Sequence, residues 1–255
     1  MRTANPALND AAFRSESYDS PRSQTMTVNG AVLKTGILTA LLLAAAGVSW
    51  SIVFPNGVGD GMSVNRPAML GCIIGGLIVG FIASLVICFS PKTSPYVAPI
   101  YAVAEGALLG AFSGFFEGQY QGMVLQAGLL TVGVLVTMLL AYTSGLIRAT
   151  EKFKMGVIAA TGAICLVYLA TIVLGFFGIG VPYIHAAGPI GIGFSVIVVV
   201  IAALNLILDF DVIESGARAN APKYMEWYGA FGLMVTLVWL YIEILRLLLK
   251  LRNSD

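Results

Sequence analysis

Charge is what this sequence has least of. Asp, Glu, Lys and Arg together make 11% of its 255 residues, against roughly 25% in soluble domains. So few ionised groups cannot clothe a water-facing surface, which excludes a soluble globular domain and a disordered chain. Lys and Arg number 14 and Asp and Glu 13, a net charge of +1. That leaves no basic footprint for a polyanion and excludes nucleic acid as a partner. Cysteine occurs three times, at Cys72, Cys88 and Cys165, in apolar runs and without metal-site or disulfide spacing. They read as small buried hydrophobes. The first 30 residues lack an apolar stretch, so no cleaved signal peptide is expected and the first apolar helix is its own insertion signal.

What is abundant is apolar length. Hydrophobic residues make 58% of the chain, and the mean hydropathy is +0.89. Residues 1–30 form a polar, flexible tail with Arg2, Arg14 and Arg22, and residues 31–252 form the transmembrane domain. Apolar runs fall at 32–54, 68–89, 96–116, 123–146, 156–177, 189–213 and 227–250. Each is long enough to cross a ~30 Å hydrocarbon core as a helix at 1.5 Å per residue. Helices satisfy their own backbone groups in lipid, and the ~10-residue alternating strands of a membrane barrel are absent. The expected fold class is therefore all-α, a polytopic membrane protein with seven helices and the lipid bilayer as its solvent.

Loop charge orients the bundle. With the N terminus cytoplasmic, ten basic residues lie inside: Arg2, Arg14, Arg22, Lys34, Lys92, Arg148, Lys152, Lys154, Arg218 and Lys223. Four lie outside: Arg66, Arg246, Lys250 and Arg252. The positive-inside rule favours that orientation. An eighth pass or a re-entrant last helix would return the basic C terminus to the cytoplasm.

Two spans carry small-residue stripes. Gly106, Gly110, Gly114 and Gly118 recur every four residues in span 3, and Gly71, Gly75, Gly76 and Gly80 line span 2. Such stripes let helices approach closely, so spans 2 and 3 are expected to pack together.

Ionisable groups inside spans cost roughly 2.5–3.5 kcal/mol each, and they mark function or helix pairing. Four acids qualify. Glu105 lies in mid-span 3 beside the glycine stripe, while Glu117 ends that span at the interface. Asp209 and Asp211 end span 6, about 200° apart around the helix, so they face different surroundings. Asp209 shares a face with Asn205 and is expected to point inward. Asp211 is expected to join Glu214 and Arg218 in a wetter cluster. Glu243 lies in span 7 with Arg246 at i+3 as its natural partner, snorkelling outward.

Enzyme chemistry finds little purchase. A rhomboid-type protease needs a buried Ser and His, and the single histidine, His185, falls in a loop beside Pro182 and Pro189. An intramembrane aspartyl protease needs a Gly-x-Gly-Asp string within a span, which none of them has. A secondary transporter would show internal repeats, and spans 1–3 and 4–6 share no matching residues. The expectation is no enzyme and no resident cofactor.

Three strings carry a resemblance. They are Leu208-Asp209-Phe210-Asp211-Val212-Ile213, Leu240-Tyr241-Ile242-Glu243-Ile244-Leu245-Arg246-Leu247-Leu248, and Ala104-Glu105-Gly106-Ala107-Leu108-Leu109-Gly110. In combination, and in helix number and order, the chain resembles the Bax inhibitor family (transmembrane Bax inhibitor motif). Asn5-Pro6-Ala7-Leu8 resembles its bacterial, YccA-type branch. The resemblance implies a seven-helix fold with the C-terminal helix central, located in a bacterial inner membrane. It implies a pH-sensitive calcium leak, with protons and Ca²⁺ as partners and Ca²⁺ as permeant ion. It further implies a carboxylate pair between helices 6 and 7 that shares a proton, falling here on Asp209 and Glu243. Once deprotonated, these two are also the transient Ca²⁺ ligands, with Glu105, Asp211, Asn205 and Arg246 in support. YccA-type relatives suggest a different role, a regulator or scaffold of another membrane protein such as a membrane protease, contacted through the polar tail.

The chain departs from that pattern twice. The helix-7 acid is Glu rather than Asp, and the two acids are 34 residues apart. In a plain hairpin, helix rise sets Asp209 ~12 Å and Glu243 ~31 Å from the turn. They meet only if Pro222–Tyr228 forms a separate segment or the last helix sits lower.

Overall fold

The structure, a computed structural model, describes residues 25–57, 63–178 and 188–254. Among the described residues seven α-helices run in chain order: α1 Val28–Val53, α2 Arg66–Phe89, α3 Ser94–Gln119, α4 Met123–Thr143, α5 Glu151–Phe176, α6 Pro189–Arg218 and α7 Met225–Arg252. A short 3₁₀ turn, Pro91–Thr93, precedes α3. All seven are long and apolar enough to cross a membrane, and among the described residues there is no strand, only an isolated bridge between Thr25 and Pro222. The expected all-α class and helix count hold, and the protein is an integral membrane protein.

Local chemistry sets several boundaries. Thr27 caps α1, its hydroxyl accepting from Gly30 N at 2.9 Å. Asn65 caps α2 by accepting from Ala68 N at 3.3 Å, and Thr150 caps α5 by accepting from Phe153 N at 3.3 Å. Glu117 does more than end its span: its carboxylate accepts from the backbone N–H groups of Gly122 and Val124, at 2.5 and 3.0 Å, at the start of α4. Asn220, with φ 54°, takes the left-handed conformation that stops α6. Helix α7 then begins directly at Met225, so the sequence from Pro222 to Tyr228 contributes a turn and the first helical residues, with no separate segment.

Burial divides the helices. The most apolar stretches of α3, α6 and α7 are 56, 44 and 50% buried, against 11 to 22% in the others. The outer helices present Leu, Ile, Val and Phe outward, as on Leu70, Phe81, Leu129 and Leu166, which is the covering a bilayer demands. No residue of α7 between Met225 and Lys250 is exposed. The cysteines are not core residues: Cys165 is exposed and Cys72 and Cys88 are half-buried.

The chain forms two compact units. One contains α1, α2, α3 and residues Val212–Val235. Here the glycines of α3 meet α1: a Cβ at Gly106 would strike the Leu42 carbonyl and Ala45, one at Gly110 the Ala46 carbonyl and Ser49, and one at Gly114 the Phe54 ring. The expected pairing of spans 2 and 3 also occurs, through Gly76, whose Cβ would lie 2.6 Å from the Ala104 carbonyl, and Gly80. Gly71 and Gly75 face open space. The α3 stripe thus serves α1 first, a partner the spacing alone does not name.

In the same unit the described root of the N-terminal tail is ordered. Met26 N donates to Ala221 O at 2.7 Å. The Glu226 carboxylate, 1% exposed, accepts from Thr27 N and Thr27 Oγ1 at 3.0 Å each and pairs with Lys223 at 2.9 Å. Lys34 lies 5.1 Å over the Trp227 ring. Thr25, Met26 and Thr27, which the expected flexible tail over residues 1–30 includes, are thus held by partners, and residues 1–24, with Asn5-Pro6-Ala7-Leu8, lie outside the described residues.

The second unit holds Gln126–Asp211 and Thr236–Asp255, that is, most of α4, all of α5, α6 to Asp211 and the second half of α7.

Candidate functional site

Asp209 and Glu243 both belong to this second unit and are 0% and 1% exposed. Helix α5 organises what surrounds them. Its inward face reads Lys154, Val157, Thr161, Ile164, Tyr168, a spacing of three and four residues that keeps one side of a helix facing its neighbours. The apolar members pack, and the polar members, seven residues apart, each bind a side chain of α6 or α7.

At the first level, Lys154 Nζ pairs with Asp211 Oδ2 at 2.7 Å and lies 3.6 Å from Glu151. The lysine side chain is 5% exposed. This revises the expectation for Asp211: its partner is a buried lysine of α5, and the Glu214–Arg218 ion pair stands without it. At the second level, Asn205, also buried, donates through Nδ2 to Thr161 Oγ1 at 2.9 Å and to Ile201 O at 2.8 Å. At the third, Tyr168 OH donates to Glu243 Oε1 at 2.9 Å and accepts from Arg246 Nη1 at 2.7 Å. Arg246 Nη1 also donates to both Glu243 oxygens, at 3.1 and 3.3 Å, which is the expected i+3 pair. The guanidinium sits 5.1 Å from the Tyr168 ring centroid. One turn on, Lys250 Nζ donates to Gly191 O at 2.9 Å and Ser195 Oγ at 2.8 Å.

These contacts fix the register. Thr161 marks the level of Asn205, and Tyr168 marks that of Glu243. Seven residues of α5 separate the two levels, and Asp209 lies four residues beyond Asn205 on the opposite side. At 1.5 Å per residue the two acids stand about 16 Å apart along the helices, more than two carboxylic side chains can span. The structure buries both acids, and helix rise sets them at different levels of the register. The 34-residue separation is simply carried into the hairpin.

The remaining candidates lie in the other unit. Glu105 is half-buried, hydrogen-bonded by Tyr101 one turn earlier, with an oxygen 2.9 Å from where a Cβ of Gly80 would stand. Gly80 thus makes room for a carboxyl as well as for a helix. Among the described residues no group of three or more His, Cys, Asp or Glu could hold a metal ion. His185 lies outside the described residues. A Gly57-Val58-Gly59-Asp60 string occurs between α1 and α2 rather than in a span, with all but Gly57 outside the described residues.

Tyr168, Lys154, Ser195 and Lys250 are site residues that a search for intramembrane acids does not find. The seven-residue spacing of Lys154, Thr161 and Tyr168 is the signal that could have exposed two of them.

The chain matches the family described as Bax inhibitor 1 like over residues 5–253, nearly its whole length, and it belongs to that family. Neither the comparison with curated proteins nor that with solved structures gives a match.

Proposed function

We propose that this chain is a proton-controlled leak path for Ca²⁺ across a bacterial inner membrane, N terminus cytoplasmic, working without an enzymatic step. The observation that carries the reading is the burial of two carboxylates, Asp209 and Glu243, on adjacent transmembrane helices. Acids are kept there at a cost only where they are used or paired. Because they stand at separate levels, each acts on its own proton rather than on a shared one. A protonated carboxyl is neutral and offers a cation little. A carboxylate is a hard oxygen ligand suited to Ca²⁺. Leak should therefore rise as pH rises through the titration of these acids and fall as they protonate.

Proteoliposomes holding a Ca²⁺-sensitive dye test this across a pH series. Asp209→Asn and Glu243→Gln should each lower the flux and flatten its pH profile. A flux and profile untouched by both substitutions would overturn the reading.

A second reading, a regulator of another membrane protein engaged through the tail, is favoured by the anchoring of Thr25–Thr27 on the α6–α7 connection. Removing residues 1–24 separates the two. The leak should survive that loss, whereas a tail-borne regulator would be silenced. The cut must stop before Thr25, because Thr27 is a structural partner of Glu226.

A further inference from the structure

The hydrogen bonds of α5 form a column. Lys154–Asp211, Thr161–Asn205, Tyr168–Glu243–Arg246 and Lys250–Ser195 follow one another along three helices of one unit. From Lys154 to Tyr168 the column covers about 21 Å of a ~30 Å core, and Lys250 extends it by about another 10 Å. Two of its levels are alike: at each, a carboxylate is occupied by a cation of the protein itself, Asp211 by Lys154 and Glu243 by Arg246. The middle is neutral, an amide bonded to a hydroxyl.

Lys154 is the more telling of the two cations. Lysine is a compact charge on a flexible stem, and near a membrane surface it snorkels outward. Glu151, 71% exposed and one turn away, offers an outward partner at 3.6 Å. The ammonium nevertheless lies inward, at 2.7 Å from Asp211. A tethered cation seated on a carboxylate holds the place that a mobile cation would need.

We propose that this column is the route by which a cation crosses the unit, and that Lys154 closes it by occupying the cation position at Asp211. The inference rests on the leak reading for its ion but not for its route. A cation entering from that end must displace the ammonium. Removing the ammonium opens the column to water and small cations as far as Thr161.

The test uses the full chain with Cys72→Ala, Cys88→Ala, Cys165→Ala and Thr161→Cys, so that one thiol reports on mid-column. The probe is a small, water-soluble, positively charged methanethiosulfonate applied to proteoliposomes, with Ca²⁺ flux followed in parallel. With Lys154 present the thiol should react slowly. Lys154→Met should speed its modification about tenfold or more, as expected when a facing charge is removed from a low-dielectric site. Lys154→Arg, which keeps the charge, should restore slow labelling. A merely structural ion pair would give unfolding, read by gel filtration, or no change in labelling. Should Lys154→Met alone fail to fold, Lys154→Met with Asp211→Asn removes both charges and should label as fast. Unchanged labelling in a folded variant overturns the proposal. Faster labelling without faster Ca²⁺ flux upholds the column and removes the Ca²⁺ reading.

Discussion

The α1–α3 unit and the unit built on α4, α5 and the inner parts of α6 and α7 hold their helices together by different means. In the first, Gly106, Gly110 and Gly76 bring backbones so close that a single added carbon would meet a carbonyl oxygen. In the second, the glycines of α4 and α5 that the structure describes face open space, and contact passes through Lys154, Thr161, Tyr168 and their partners. Lipid tails are as apolar as leucine, so helices associate in a bilayer either by close packing or by hydrogen bonds. Close packing leaves no room for an ion or a water molecule. Hydrogen-bonded side chains can exchange partners, which is why the proposed path is assigned to the second unit.

That contrast can be broken most severely in the first unit. Gly106→Leu should drive its side chain into the Leu42 carbonyl and cost about 3 kcal/mol or more, read as a large loss of thermal stability in detergent. Gly128→Leu on α4, where nothing lies within 4 Å, should leave stability nearly unchanged. Glu226→Ala comes next. It strands Thr27 N–H and Oγ1 and the Lys223 ammonium, and should cost about 1–3 kcal/mol, with proteolysis near Thr25 increasing. The smallest effect belongs to the neutral middle of the column. Asn205→Leu should cost roughly 0.6–1.7 kcal/mol, the range of interhelical hydrogen bonds in membranes. A larger loss there would mean that the second unit depends on its polar contacts as strictly as the first depends on its glycines.

The helices were legible because apolar runs of about 20 residues permit one structure in lipid. The glycine stripe announced close packing, but small residues carry no address, and α3 packs on α1 through it as well as on α2. Asp209 was placed inward by the face it shares with Asn205, and Glu243–Arg246 by their i+3 spacing. Lys154 was hidden by its position. Four residues into a helix, next to Lys152 and Glu151, it counts as a loop charge in any orientation rule, and only tertiary contact turns it toward Asp211. Tyr168 and Ser195 were hidden by ordinariness, since hydroxyl residues are common in membrane spans. The mismatch of Asp209 and Glu243 was readable from 34 residues and a fixed rise per residue.

The separate levels of those two acids are the claim most open to a decisive measurement. Ca²⁺ flux against pH in proteoliposomes, for the parent, Asp209→Asn, Glu243→Gln and the double substitution, closes a double-mutant cycle. Groups more than about 7–10 Å apart without shared partners combine additively to within about 0.5 kcal/mol. The account predicts two independent contributions, with each single variant losing its own part of the pH profile and the double variant losing both. A coupling above about 1 kcal/mol, with either substitution alone removing the whole pH response, would mean that the acids share one proton, and would contradict it.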